Sequence, residues 1–198
     1  VISLYIYGCR PEIYERAKEI GVPSDHIFTD DRPNGGTPLY VAKKAWLDRI
    51  RIGETHRCVL QDDVAVCDNF MDHLQAMVKF DPAGVWSLFP LEFIDFPEKG
   101  EERHKKEGIF LRTTYLSGCA IMMPVDYCRS IYYAEEGIAE NDDEIAIMDA
   151  YHHKNAKLYT TIPATVQHLG DDCKVKSATT KYHGAYLRTP FFKQEGFL

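Results

Sequence analysis

The sequence predicts an α/β fold with a largely parallel sheet. Two observations predict it: short apolar runs alternate with segments of helical periodicity, and Gly or Pro stands at the joints between them. The 198 residues fit one domain with a full core, and two independent domains would be cramped. The expected sheet is mixed but mainly parallel, flanked by helices.

ISLYIYG, Ile2 to Gly8, is the first strand, and the chain start reads as that strand and not as a signal peptide. Pro11 opens a helix in which Ile13, Ala17 and Ile20 recur at helical spacing until Gly21 ends it. His26 to Asp30 is a second short strand, and RPNGG is a loop. A helix follows from about Thr37 to Arg51, with Ala42, Ala45 and Trp46 facing inward. RCVLQDDV is a third strand that ends at Asp62 and Asp63. After it come a helix from Asn69 to about Phe80 and a strand from Val85 to Pro90.

Residues Glu92 to Arg112 are charged and rich in turn formers, and we expect a mobile hairpin or loop there. Leu116 to Pro124 is a buried strand, VDYCRSIYYAEEG a helix closed by Gly137, and DDEIAIMDAYHHKN a further helix. The strand KLYTTIP leads into VQHLGDD, and a tail rich in Lys and aromatic residues completes the chain. No repeat or low-complexity segment occurs.

Apolar residues at 45% and charged residues at 27% are the balance of a self-sufficient globular protein, and no apolar run is long enough to cross a bilayer. The six cysteines form no CxxC pair and read as reduced core thiols. With no Asn-x-Ser/Thr acceptor in the chain, this agrees with a cytoplasmic protein. A formal charge of −7 excludes nucleic-acid binding by bulk electrostatics, so any such contact must be local.

The sharpest motif is Gln61-Asp62-Asp63-Val64 at a strand end, the edge where open α/β sheets bind ligands. Two carboxylates beside a nucleotide diphosphate make sense when a hard cation, Mn²⁺ or Mg²⁺, lies between them. Strand alternation sends the two side chains apart, one to the metal and the other to the ribose or sugar. The alternative is a pair that caps the next helix. His168, in VQHLG, is a neutral metal ligand or an ordinary polar residue. Asn141-Asp142-Asp143-Glu144 at a helix start is a capping cluster or a source of a general base.

The order VLQDDV, GCAIMMP, NDDEIAIMDAY and TTIPATVQHLG resembles GT-A glycosyltransferases over about Val1 to Asp172. It is similar in particular to compact bacteriophage-encoded members, some of which decorate hydroxymethylated pyrimidines in DNA. The resemblance implies a single Rossmann-like GT-A domain over residues 1–172, with residues 173–198 a basic, aromatic tail packed on it or extending it. It implies a divalent metal ion held by Asp63 and His168, with Asp62 on the metal, ribose or sugar. The motif reads QDD where many relatives have DxD or EDD, and analogy with xDD relatives favours Asp63 as the main ligand.

The resemblance further implies a nucleotide-sugar donor, with a UDP-sugar expected, and a catalytic role for Asp143, or secondarily Asp142. Donor contacts are expected from Tyr7, Gly8 and Arg10 at the first strand end, from Asp31 and Arg32 with Gly35 and Gly36 in the next loop, and from Gly118 beside the sugar. Tyr7 and the loop could equally be core and solvated turn. DNA is a possible acceptor, since Lys174, Lys176, Lys181, Arg188 and Lys193 interleave with Tyr182, Tyr186, Phe191 and Phe192. Arg103, His104, Lys105 and Lys106 could add a second phosphate contact. The other reading of the tail packs its aromatics on the core.

Two Asp pairs and a His also suit a two-metal phosphoryl or nucleotidyl transferase, but neither a P-loop nor a Gly-Ser pair before a DxD hairpin is present. A third reading is a nucleotide-sugar or DNA-binding domain without chemistry.

Overall fold

Five consecutive buried residues, Ser3 to Tyr7, make β1 (Ile2–Gly8) a strand covered on both faces, as in parallel sheets. The computed structural model of the chain describes residues 1–30, 38–90, 93, 97–114, 116–129, 155–169 and 191–198. After β1, α1 (Ile13–Ile20) buries Ile13 and Ala17 one turn apart. It ends at Gly21, whose φ of 84° is the left-handed conformation that closes helices. A single 3-10 turn (Ser24–His26) precedes β2 (Ile27–Thr29). His26 therefore lies outside the strand, buried and stacked on Tyr5 at 4.2 Å, with Nδ1 2.8 Å from the Leu4 carbonyl oxygen.

The next helix, α2 (Pro38–Leu47), buries Ala42, Ala45 and Trp46 as expected but stops before Arg51. Arg57 supplies the reason. Its buried guanidinium donates to the carbonyls of Ala45, Trp46, Asp48 and Arg49, the acceptors left open at a helix C-terminus, and to the Glu54 carboxylate at 2.9 and 3.0 Å. Arg57 stands on β3 (His56–Gln61), parallel to β1 over the register Ile2↔His56 to Tyr7↔Gln61. A three-residue strand, β4 (Val64–Val66), follows at once, and then α3 (Phe70–Phe80) and β5 (Val85–Ser87).

The segment expected to be a mobile loop holds a helix, α4 (Pro97–Glu107), and a strand, β6 (Phe110–Arg112). The helix lacks a broad apolar stripe, so the sequence hid it. Glu, Lys and Arg are good helix formers, Arg103 pairs with Glu107 one turn on, and Gly100 packs without side chain against Phe93, Ile162 and Phe191. Gly108, at φ 88°, closes it. The chain continues through β7 (Ala120–Pro124), α5 (Val125–Cys128), β8 (Leu158–Thr161) and β9 (Val166–His168).

Seven strands form one mixed sheet in the order β2-β1-β3-β7-β5-β8-β6, in which β6 runs antiparallel to β8. The other two, β4 and β9, form a separate antiparallel ribbon. Expected as one domain, the chain groups into two compact units: Val1–Asp62 with Met122–Ala156, and Asp63–Ile121 with Lys157–Leu198. The first is centred on Tyr5, Ile6, Ile13, Trp46 and Leu60. The second holds an aromatic group of Phe80, Trp86, Phe110 and Tyr159 and an apolar cluster of Phe93, Leu111, Ile162, Ala164 and Phe191. No helix among the described residues is long and apolar enough to cross a membrane.

Candidate functional site

In the first unit, β3 delivers Asp62 to the exit of β1. Both its carboxylate oxygens are engaged there. Oδ2 accepts the backbone N–H of Cys9 at 2.9 Å and of Arg10 at 2.8 Å, and Oδ1 accepts Arg10 Nη1 at 2.6 Å. The side chain is 6% exposed. Gly8 is shaped to this carboxylate, because a Cβ built there would fall on Asp62 Cγ and Oδ2. Gly8 therefore makes room for Asp62, where the sequence reading gave that room to a nucleotide.

In the second unit, the antiparallel ribbon fixes Asp63. Val64 pairs with His168, Ala65 with Gln167 and Val66 with Val166, and the Leu169 N–H donates to the Asp63 carbonyl at 2.7 Å. This register sets His168 Nε2 3.2 Å from Asp63 Oδ2, and the two side chains are 10% and 11% exposed. The far end of the ribbon is tied by Cys67 N–H to Thr165 O and by Asp68 N–H to Gln194 O.

The pair fits a divalent ion. Two donors each about 2.1 Å from an octahedral ion and at right angles lie about 3 Å apart, close to the separation seen. Neutral imidazole and carboxylate suit Mn²⁺ or Mg²⁺, which keep further positions for substrate phosphate and water. Among the described residues no cluster of three or more His, Cys, Asp and Glu forms. Cys67, near the ribbon, is no thiolate candidate, because burial pushes its thiol up to about 11.

The structure thus brings Asp63 to His168 and Asp62 to Arg10. Tyr7, expected on the nucleobase, is 3% exposed and accepts Gln61 Nε2 at its hydroxyl at 3.0 Å, so it is a core residue. Gly118 is buried in the turn before β7, where the neighbouring Ser117 N–H donates to Ser87 Oγ. Cys58, Cys67, Cys119 and Cys128 are buried free thiols, but Cys9 is exposed, which corrects the reading of all six as core. Phe191 is 7% exposed within its apolar cluster and offers no face for a base to stack on. Arg103 lies over Phe93 and donates to Glu107 and to the Arg112 carbonyl.

Asp31, Arg32, Gly35, Gly36, Asn141, Asp142, Asp143, Glu144, Cys173, Lys174, Lys176, Lys181, Tyr182, Tyr186 and Arg188 lie outside the described residues. Sequence reasoning missed the β4–β9 register and the capture of Arg10 by Asp62. The signal for the first was the apolar Val64-Ala65-Val66 directly after the two Asp residues. No family model matches the chain, and no curated protein matches it. Its function must be argued from the chemistry of these side chains.

Proposed function

We propose that the chain is a metal-dependent glycosyltransferase of the GT-A type, taking a nucleotide diphosphate sugar, with UDP-sugar the first choice, and a hydroxyl acceptor. The observation that carries this reading is the Asp63–His168 pair, 3.2 Å apart on a two-stranded ribbon. Asp63 and His168 hold the divalent ion, which when bound supplies Lewis-acid stabilisation to the leaving diphosphate. Asp63 contributes charge, and His168 contributes a neutral nitrogen whose protonation competes with metal.

In the transfer, the acceptor oxygen forms a bond to the anomeric carbon while the bond from that carbon to the diphosphate oxygen breaks. The nucleoside diphosphate leaves with the electron pair, and the acceptor proton passes to a carboxylate. The sequence assigns that carboxylate to Asp143, with Asp142 second. A modified base in DNA is the acceptor that the lysines and remaining aromatics of the final segment favour, and it would enter flipped out or single-stranded.

The test is incubation with a panel of nucleotide sugars, with and without Mn²⁺, followed by separation of the nucleotides. Free nucleoside diphosphate that forms only with metal supports the reading. Nucleoside monophosphate or pyrophosphate would replace it with phosphoryl transfer, and no turnover with any donor would leave a binding domain. Labelled donor with hydroxymethylated DNA, unmodified DNA or peptide then identifies the acceptor.

A further inference from the structure

Backbone N–H groups at the end of a parallel strand are a common place for open α/β folds to receive an anion, because consecutive amides can converge on one oxygen. Here the Cys9 and Arg10 amides do converge, at 2.9 and 2.8 Å, but on Asp62 Oδ2 of the same chain. The Arg10 guanidinium closes on the other oxygen at 2.6 Å. Three donors, one of them cationic, around a single carboxylate 6% exposed form a complete anion-binding arrangement. Gly8 completes it, since any Cβ at that position would occupy the place of the carboxylate.

We propose that the Gly8–Cys9–Arg10 turn is an anion site whose occupant is built into the chain, the Asp62 carboxylate, and that removing this carboxylate opens the site to a free phosphate or carboxylate. Asp62 is then a positioning residue that shapes the turn and holds Arg10, and its oxygens are not metal ligands. A consequence, resting on the donor reading above, is that a nucleoside diphosphate finds no open amide cradle at β1. Its affinity then depends on the ion at Asp63 and His168.

Asp62→Ala tests the site itself, with inorganic phosphate and acetate as probes and chloride of equal ionic strength as control. At about a hundredfold excess over Kd, a bound anion raises the unfolding midpoint of a protein this size by roughly 5–10 °C. We expect a rise of that order for Asp62→Ala and none for the wild type. Asp62→Asn, which keeps an acceptor and fills the turn, stays unresponsive. If Asp62→Ala folds only when phosphate or acetate is present, that rescue counts as the same result. An Asp62→Ala protein that folds and ignores both anions overturns the proposal.

A separate titration of wild type with UDP, with and without Mn²⁺, reads the consequence. Binding only with metal supports it, and equal binding without metal overturns it. No binding in either condition fails the donor reading while leaving the Asp62→Ala result intact.

Discussion

Asp62 and Asp63 are neighbours in the chain, yet their surroundings have little in common. Asp62 is enclosed by donors, with two amides and a guanidinium on its two oxygens. Asp63 faces His168, itself a donor or an acceptor depending on its proton, on a ribbon whose partner strand comes from far along the sequence. A carboxylate surrounded by fixed donors is spent on structure, because moving it would strand those donors. A carboxylate beside an imidazole can exchange that partner for a metal ion. The doubled motif therefore combines one structural anion with one candidate ligand.

The comparison is broken most severely at Asp63. Asp63→Ala should lower metal-dependent turnover at least a hundredfold, beyond the roughly 10–100-fold typical of residues that only orient a ligand. Its circular dichroism and unfolding midpoint should stay close to wild type, because the lost pair is part-exposed. Nucleotide release assays and thermal melts on the same sample check both halves. Turnover within tenfold of wild type would remove Asp63 from the metal site.

Gly8→Ala attacks the other side. The new Cβ displaces the Asp62 carboxylate from three donors, and leaving buried donors unmet costs about 1–3 kcal/mol each. Relaxation of the turn and entry of water should bring the total to about 2–4 kcal/mol. Urea unfolding should show a lower midpoint with unchanged slope. A midpoint shift below the experimental error would mean that Gly8 and Asp62 are not matched.

A smaller effect belongs to the C-terminal end of the second unit. His73 of α3 is fully buried beneath Gly196, with the Phe197 ring edge-on at 4.4 Å. Burial lowers its pKa below the ordinary 6.5, against the opposing pull of the Asp68 and Glu195 backbone and the Asp72 charge. The unfolded chain therefore takes up this proton at higher pH than the folded one. Stability contributed by neutral His73 is intact above about 6.5 and is lost as the pH falls through the interval down to the lowered folded value. Melts at a series of pH values should show this loss in the wild type and a flatter profile in His73→Phe.

Much of the first unit was legible because its signals are local. The continuous apolar run of β1, the Gly21 stop and the inward face of α2 each need only their own residues. The end of α2 was not legible, since the cap is Arg57, on another strand. α4 was misread because a helix held by charge pairs and one glycine contact resembles a solvated loop. For the site, the strand-end carboxylates and His168 stood out by residue type. What separated Asp62 from Asp63 was the turn after β1 and a three-residue ribbon, and three residues are too few to show a period.

The division between the two carboxylates is tested most directly by binding of Mn²⁺ alone, followed by electron paramagnetic resonance, to wild type, Asp62→Asn and Asp63→Asn. Wild type and Asp62→Asn should bind the ion with affinities within a few-fold of each other, and Asp63→Asn should lose at least about tenfold. Loss of Mn²⁺ in Asp62→Asn with retention in Asp63→Asn would contradict the account.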